Sequence, residues 1–172
     1  LYDDYNWHKK NVRRINDKGY YSWQYNSMYE YLRKMRLENT FTDGELISFW
    51  KEQLAIVIRA TSQFDKKYHA YKAGDMDIDE FCSYSKKVYN ELQAIYKKCD
   101  DACFPMPDSQ YERFHEMSHE LISNARSLIY VSAQYKKEKD NERQVVNWIE
   151  LELKNYYKTL KEWEDIVKSG RI

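Results

Sequence analysis

At 172 residues the chain has the length of one domain with a real core and is too short for two independent ones. Hydrophobic residues make up 42% and charged residues 33%, with only four Gly and two Pro, a profile of long regular elements and few loops. Lys plus Arg (28) balances Asp plus Glu (28), so the formal charge is zero and no long-range field draws in a polyanion. No stretch approaches the roughly 20 apolar residues of a membrane-spanning helix, so neither nucleic acid nor membrane insertion by this segment is expected.

In chain order, the region from Leu1 to Glu38 carries two short apolar faces. Tyr5, His8, Val12 and Ile15 form one, and Tyr21, Met28, Tyr31, Leu32 and Met35 the other, with Lys18-Gly19 as the break between them. This spacing predicts one or two helices packed against the remainder of the chain. Trp7, Tyr20, Trp23, Tyr25 and Tyr29 crowd the same region beyond what a short helix buries against one neighbour. Aromatic excess of this kind is typical of interaction surfaces, so these five are the expected binding or self-association residues. The start at Leu1 rather than Met is that of a processed product or a piece of something longer, with an upstream membrane tether as one expectation.

Four segments spanning 43–168 then carry apolar seams at alternating steps of three and four residues, the coiled-coil-like signature of one helix face. The first seam is Ile47, Trp50, Leu54, Val57, Thr61, Phe64, Tyr68 and Tyr71, opened by a Thr42/Glu45 capping box and stopped at Gly74. The second is Ile78, Phe81, Ser85, Val88, Leu92, Ile95, Cys99 and Ala102, entered through Asp77 with Glu80 and closed by Pro105 and Pro107. The third is Tyr111, Phe114, Ser118, Leu121, Ala125, Leu128, Ser132 and Tyr135, and the fourth Val146, Ile149, Leu153, Tyr156, Leu160, Trp163 and Val167. Between these two lies a charged stretch, Lys136 to Arg143, with no Gly or Pro. One continuous helix of about 60 residues and a hairpin both fit it. The hairpin is preferred because it gives four segments of nearly equal length and because Asn141, with Gln144 three residues on, offers a second helix start. The expected fold is therefore all-α: a single domain, 1–172, whose core is an up-down-up-down bundle of four long helices with one or two additional N-terminal helices in 1–38.

The sharpest chemical motif is His115-Glu116-Met117-Ser118-His119, which resembles the H-E-x-x-H signature of zinc metalloproteases over five residues. On a helix, histidines four apart share a face and can share a zinc ion, while the Glu acts as base toward bound water. Against that reading, Arg113 and Glu120 put charge where the protease pattern has none. The heptad frame also sets His115 beside the seam and His119 on the outer face. The plain expectation is one partly packed and one solvated histidine, with zinc on His115 and His119 and Glu116 as base kept as the alternative. Paired Glu-x-x-His spacing does not recur at His69 or His8, as a di-iron bundle requires. The acidic run Gly74 to Phe81 fails as a calcium loop because His69 and Tyr71 occupy ligand positions; a helix stop followed by an acidic helix start accounts for it. The three Cys, Cys82, Cys99 and Cys103, lie on or beside the second seam as small buried hydrophobes and imply neither a disulfide framework nor a metal cage. Ser85, Thr61, Ser118 and Ser132 place hydroxyls on the seams, where they are expected to bond back to their own helices.

With Pro105-Met106-Pro107, an early helical His115, the seam through Ala125 and an acidic turn at Asp140, the stretch from Asp75 to Lys168 resembles helical extracytoplasmic regions of secreted or membrane-tethered proteins of low-GC Gram-positive bacteria. The resemblance implies a tethered surface domain in an extracytoplasmic or cell-surface setting, and no activity. The expected function is a non-enzymatic binding or scaffolding module, without cofactor, that offers its aromatic face to a protein partner or to a second copy of itself. A zinc-dependent metallohydrolase and a small-ligand sensor are the alternatives.

Overall fold

The structure is a computed structural model that describes residues 43–101 and 109–170. Among them are four helices and no strands: α1 (Asp43–Lys72), α2 (Ile78–Asp101), α3 (Ser109–Ala133) and α4 (Glu142–Lys168). The all-α expectation holds. The N-terminal region with its five aromatic residues, the capping Thr42, and Ala102 to Pro107 lie outside the described residues.

Local chemistry sets the boundaries where the sequence marks them. At the end of α1 the chain turns through Gly74 at φ 84°, a left-handed conformation that costs a residue with a Cβ and leaves glycine free. The Gly74 N–H donates to the Tyr71 carbonyl at 3.1 Å and the Asp75 N–H to that of Ala70 at 3.0 Å, the paired bonds that satisfy the last carbonyls of a helix. Three residues after Gly74, Asp77 Oδ1 accepts the Glu80 N–H at 2.8 Å and starts α2. The charged stretch before α4 is a turn, so the hairpin holds and the continuous helix does not. Asp140 Oδ2 accepts the Lys136 N–H at 2.6 Å, while the Lys136 carbonyl accepts the N–H groups of Lys139 and Asp140. Asn141, in extended conformation, then caps α4 by accepting the Arg143 N–H. Side-chain acceptors replace the glycine that a turn commonly uses.

Neighbouring helices run in opposite directions, as the order of their contacts shows. Phe81 at the start of α2 packs on Phe64, Tyr68 and Tyr71 at the end of α1, stacking flat on Tyr71 at 5.3 Å. Along α2 and α3, Tyr89 meets Tyr130, and the Arg126 guanidinium lies 3.9 Å over the Tyr96 ring. Along α3 and α4, the Trp163 indole N–H donates to Ser118 Oγ, Asn124 Nδ2 to Thr159 Oγ1, and the Trp148 indole N–H to the Ser127 carbonyl. The first two seams are buried as read, apart from half-buried Tyr71 and the undescribed Ala102.

Two departures stand out. Helix α3 packs against α1, α2 and α4, and it buries Met117, Ile122, Ile129 and Ala133 besides its described seam residues. A single heptad stripe is too narrow for a helix with three neighbours. On α4 the fully buried line runs through Val145, Ile149, Tyr156, Thr159 and Trp163, while Val146, Leu153, Leu160 and Val167 are partly buried beside it. Ile149, Tyr156 and Trp163 are buried as read, whereas burial at Val145 and Thr159 falls one residue before Val146 and Leu160; at Thr159 the hydroxyl accepts from the Asn124 amide of α3.

Candidate functional site

The motif residues His115 and His119 lie in the first turns of α3, one turn apart on the same face. Their Nε2 atoms meet at 3.1 Å, with ring centroids 4.6 Å apart and the planes nearly perpendicular. Both rings pack edge-on against Trp50 of α1, His115 at 5.4 Å and His119 at 4.7 Å, and Trp50 itself is fully buried. This corrects the outer-face placement of His119. The ring is only partly exposed because α1 passes close to α3 here and Trp50 is large enough to reach both histidines.

Burial pushes His115 down to about 4, with the His119 charge as a second cause, and burial lowers His119 while Asp100 opposes it. Desolvation penalises an imidazolium more than a neutral ring, so at neutral pH both rings are uncharged. A 3.1 Å contact between two neutral imidazoles is an N–H···N hydrogen bond in which one Nε2 donates and the other accepts. Glu116, the base of the metalloprotease alternative, is exposed. Among the described residues, no group of three His, Cys, Asp or Glu side chains is arranged to hold a metal ion.

The remaining seam polar groups are engaged. Thr61 and Ser85 donate to the carbonyls of Val57 and Phe81, four residues back, and Ser132 donates to that of Ile129. Ser118 departs from the back-bonding expectation, because its Oγ takes the Trp163 indole proton at 2.9 Å. Cys82 and Cys99 are buried free thiols, and burial raises both to about 12, which makes them poor nucleophiles. His69 is paired with Asp65 on the α1 surface.

A feature that sequence reasoning missed joins α1 to α4. Tyr157 donates to Asp65, Tyr68 and Lys72 both donate to Glu150 Oε1 at 2.6 and 2.8 Å, and Tyr71 donates to Glu142 at 2.7 Å. The hydroxyls thus reach past the core to carboxylates on the neighbouring helix. Lys72 and the Tyr68 hydroxyl hold the Glu150 carboxyl below its ordinary value, and burial together with the Asp65 bond raises the Tyr157 hydroxyl. The available signal was Asp65, Tyr68 and Lys72 at steps of three and four, set against Glu142, Glu150 and Tyr157 at steps of eight and seven. These are flanking positions that a search for apolar seams passes over.

Comparison with protein-family models, with curated proteins and with solved structures finds no match, so the functional reading rests on the residues themselves.

Proposed function

We propose that the chain is a non-enzymatic binding or scaffolding module. Its core is an up-down-up-down bundle of the four long helices, and Trp7, Tyr20, Trp23, Tyr25 and Tyr29 form an aromatic face offered to a protein partner or to a second copy of the chain. What supports this reading is where the rings of the described helices go. Trp50, Tyr68, Tyr156, Phe64, Phe81 and Phe114 are the largest fully buried side chains, and Tyr68, Tyr71 and Tyr157 are tied by their hydroxyls across α1 and α4. The five N-terminal aromatics are additional to those seams. Large, stiff rings cost little conformational entropy on binding, which is why they anchor interfaces.

The metallohydrolase alternative has less support, because Glu116 is exposed and the described residues supply no third ligand. The sensor alternative loses its motivating observation, since the seam hydroxyls are already bonded within or between helices. An extracytoplasmic setting belongs to the same proposal and rests on the sequence resemblance. The test is a Trp7→Ala/Trp23→Ala double variant, followed by light scattering over a range of concentrations and by partner binding. Loss of the oligomer or of the partner supports the module, and an unchanged oligomer with unchanged partner binding removes it.

A further inference from the structure

Histidines four apart on a helix are common, and most are free to spread into solvent. Here the two rings converge, with Nε2 facing Nε2 at 3.1 Å, and the fully buried Trp50 stands edge-on to both. The separation can be compared with the bite of a metal chelate. With metal–nitrogen bonds of about 2.0–2.1 Å, two ligands subtend a distance of roughly 2.9 Å at a right angle and roughly 3.35 Å at the tetrahedral angle. The observed 3.1 Å falls between these limits, where both tetrahedral zinc and the squarer geometries of nickel and copper fit.

We propose that His115 Nε2 and His119 Nε2 form a two-point chelate for a divalent transition-metal ion, with Trp50 as its apolar wall and the remaining coordination positions open to water or to an incoming ligand. Imidazole selects the zinc, nickel and copper class over calcium and magnesium, which prefer oxygen. The ion replaces the hydrogen bond between the rings: the ring that donated from Nε2 takes the Nδ1–H tautomer, which frees both Nε2 lone pairs for the ion with no net loss of a proton. The packing against Trp50 restrains both rings with their Nε2 atoms at the bite distance of a chelate, which limits the rotamer freedom that remains to be lost. Asp100, in the last turn of α2, acts electrostatically on His119 and brings an anionic group into the surroundings of the ion. The role is coordination, independent of Glu116. It does not rest on the N-terminal aromatic face, so either proposal can fail without the other.

The experiment is calorimetric titration of chelator-stripped full chain with Zn²⁺ and with Ni²⁺, repeated on His115→Ala and His119→Gln, with circular dichroism to confirm that both variants stay helical. One ion per chain is expected, lost or weakened at least tenfold in each variant, with a thermal midpoint that rises with Zn²⁺ concentration only in the parent. A companion measurement needs no variant: in ¹⁵N-histidine spectra of the parent chain, two histidines shift together and saturate at one equivalent of Zn²⁺. Absence of binding, binding that survives both substitutions, or a shift confined to one histidine overturns the proposal.

Discussion

Substituting Ser118 by Ala probes the contact that seam reasoning placed wrongly. Ser118 is fully buried, Trp163 is 7% exposed, and the indole N–H has Ser118 Oγ as its acceptor at 2.9 Å. Alanine removes that acceptor and leaves a buried donor unpaired, which costs about 1–3 kcal/mol. The change also gains helix propensity, up to about 0.5 kcal/mol for Ser to Ala, so a net loss of roughly 0.5–2.5 kcal/mol remains. For a chain of this size that is a fall of about 2–4 °C in thermal midpoint per kcal/mol. Trp163→Phe removes the donor and some ring volume, and in its background Ser118→Ala has no proton left to orphan. The double variant is therefore expected to lose less than the sum of the singles, with a coupling of about 0.5–1.5 kcal/mol read from urea unfolding followed by far-ultraviolet dichroism. Strict additivity, or a Ser118→Ala variant as stable as the parent, would refute the bond and return Ser118 to its own helix.

Other outcomes follow from the same packing. Leu121→Ala, at a site with no exposure, is expected to cost about 2.7–5 kcal/mol, whereas Leu151→Ala, at 56% exposure, should stay within about 0.5 kcal/mol of the parent; urea midpoints for the pair check the contrast. Asn141→Ala deletes the acceptor for the Arg143 N–H and should lower stability by about 1 kcal/mol, while Asn141→Asp restores it. The alkaline limb of stability should be steep. Burial raises the thiols of Cys82 and Cys99 to about 12 from 9.0, and the Tyr156 hydroxyl to about 12 from 10.0. The unfolded chain sheds these protons first, so their contribution is intact below pH 9 and is lost as pH climbs toward 12. Guanidinium midpoints should fall across that window, and fall less between pH 9 and 10 in Cys82→Ala/Cys99→Ala; a flat profile contradicts the burial of these groups.

The marked helix ends that lie among the described residues were legible because each rests on local chemistry. Gly74 stops α1 by its backbone conformation, Asp77 and Asn141 start α2 and α4 through their own side chains, and the stripe of α1 is set by spacing alone. The seam of α4, the breadth of α3 and the partner of Ser118 depend on which neighbour lies opposite, and no periodicity within one helix encodes that. His119 belongs with them. Its heptad position points outward, and only the arrival of Trp50 from α1, 69 residues earlier in the chain, turns that surface into a packed one. The tyrosine–carboxylate belt was overlooked for the opposite reason, since its members are polar at the tip and a hydrophobic pattern registers only their rings.

Among the described residues, the two ends of the helical array are held by different contacts, and the difference bears on where function resides. At one end both hairpin turns, 73–77 and 134–141, are fixed by backbone and capping bonds, and Tyr71 to Glu142 ties the end of α1 to the start of α4. At the other end α1 and α3 begin while α2 and α4 finish, and the described contacts there are made by side chains: Trp50 on the His115–His119 pair, and Phe114 on Trp163. Groups brought together from separate helices by side-chain contacts are those that a ligand can engage without breaking backbone bonds. Helix α1 begins at this end with Asp43, about 10 Å along the helix axis before Trp50. Under the two proposals, an ion on the histidine pair and a partner on the N-terminal aromatics are separate binding events on one chain. Coupling between them would have to be reciprocal, so a Zn²⁺ affinity unchanged by Trp7→Ala/Trp23→Ala would establish that the two sites are energetically separate.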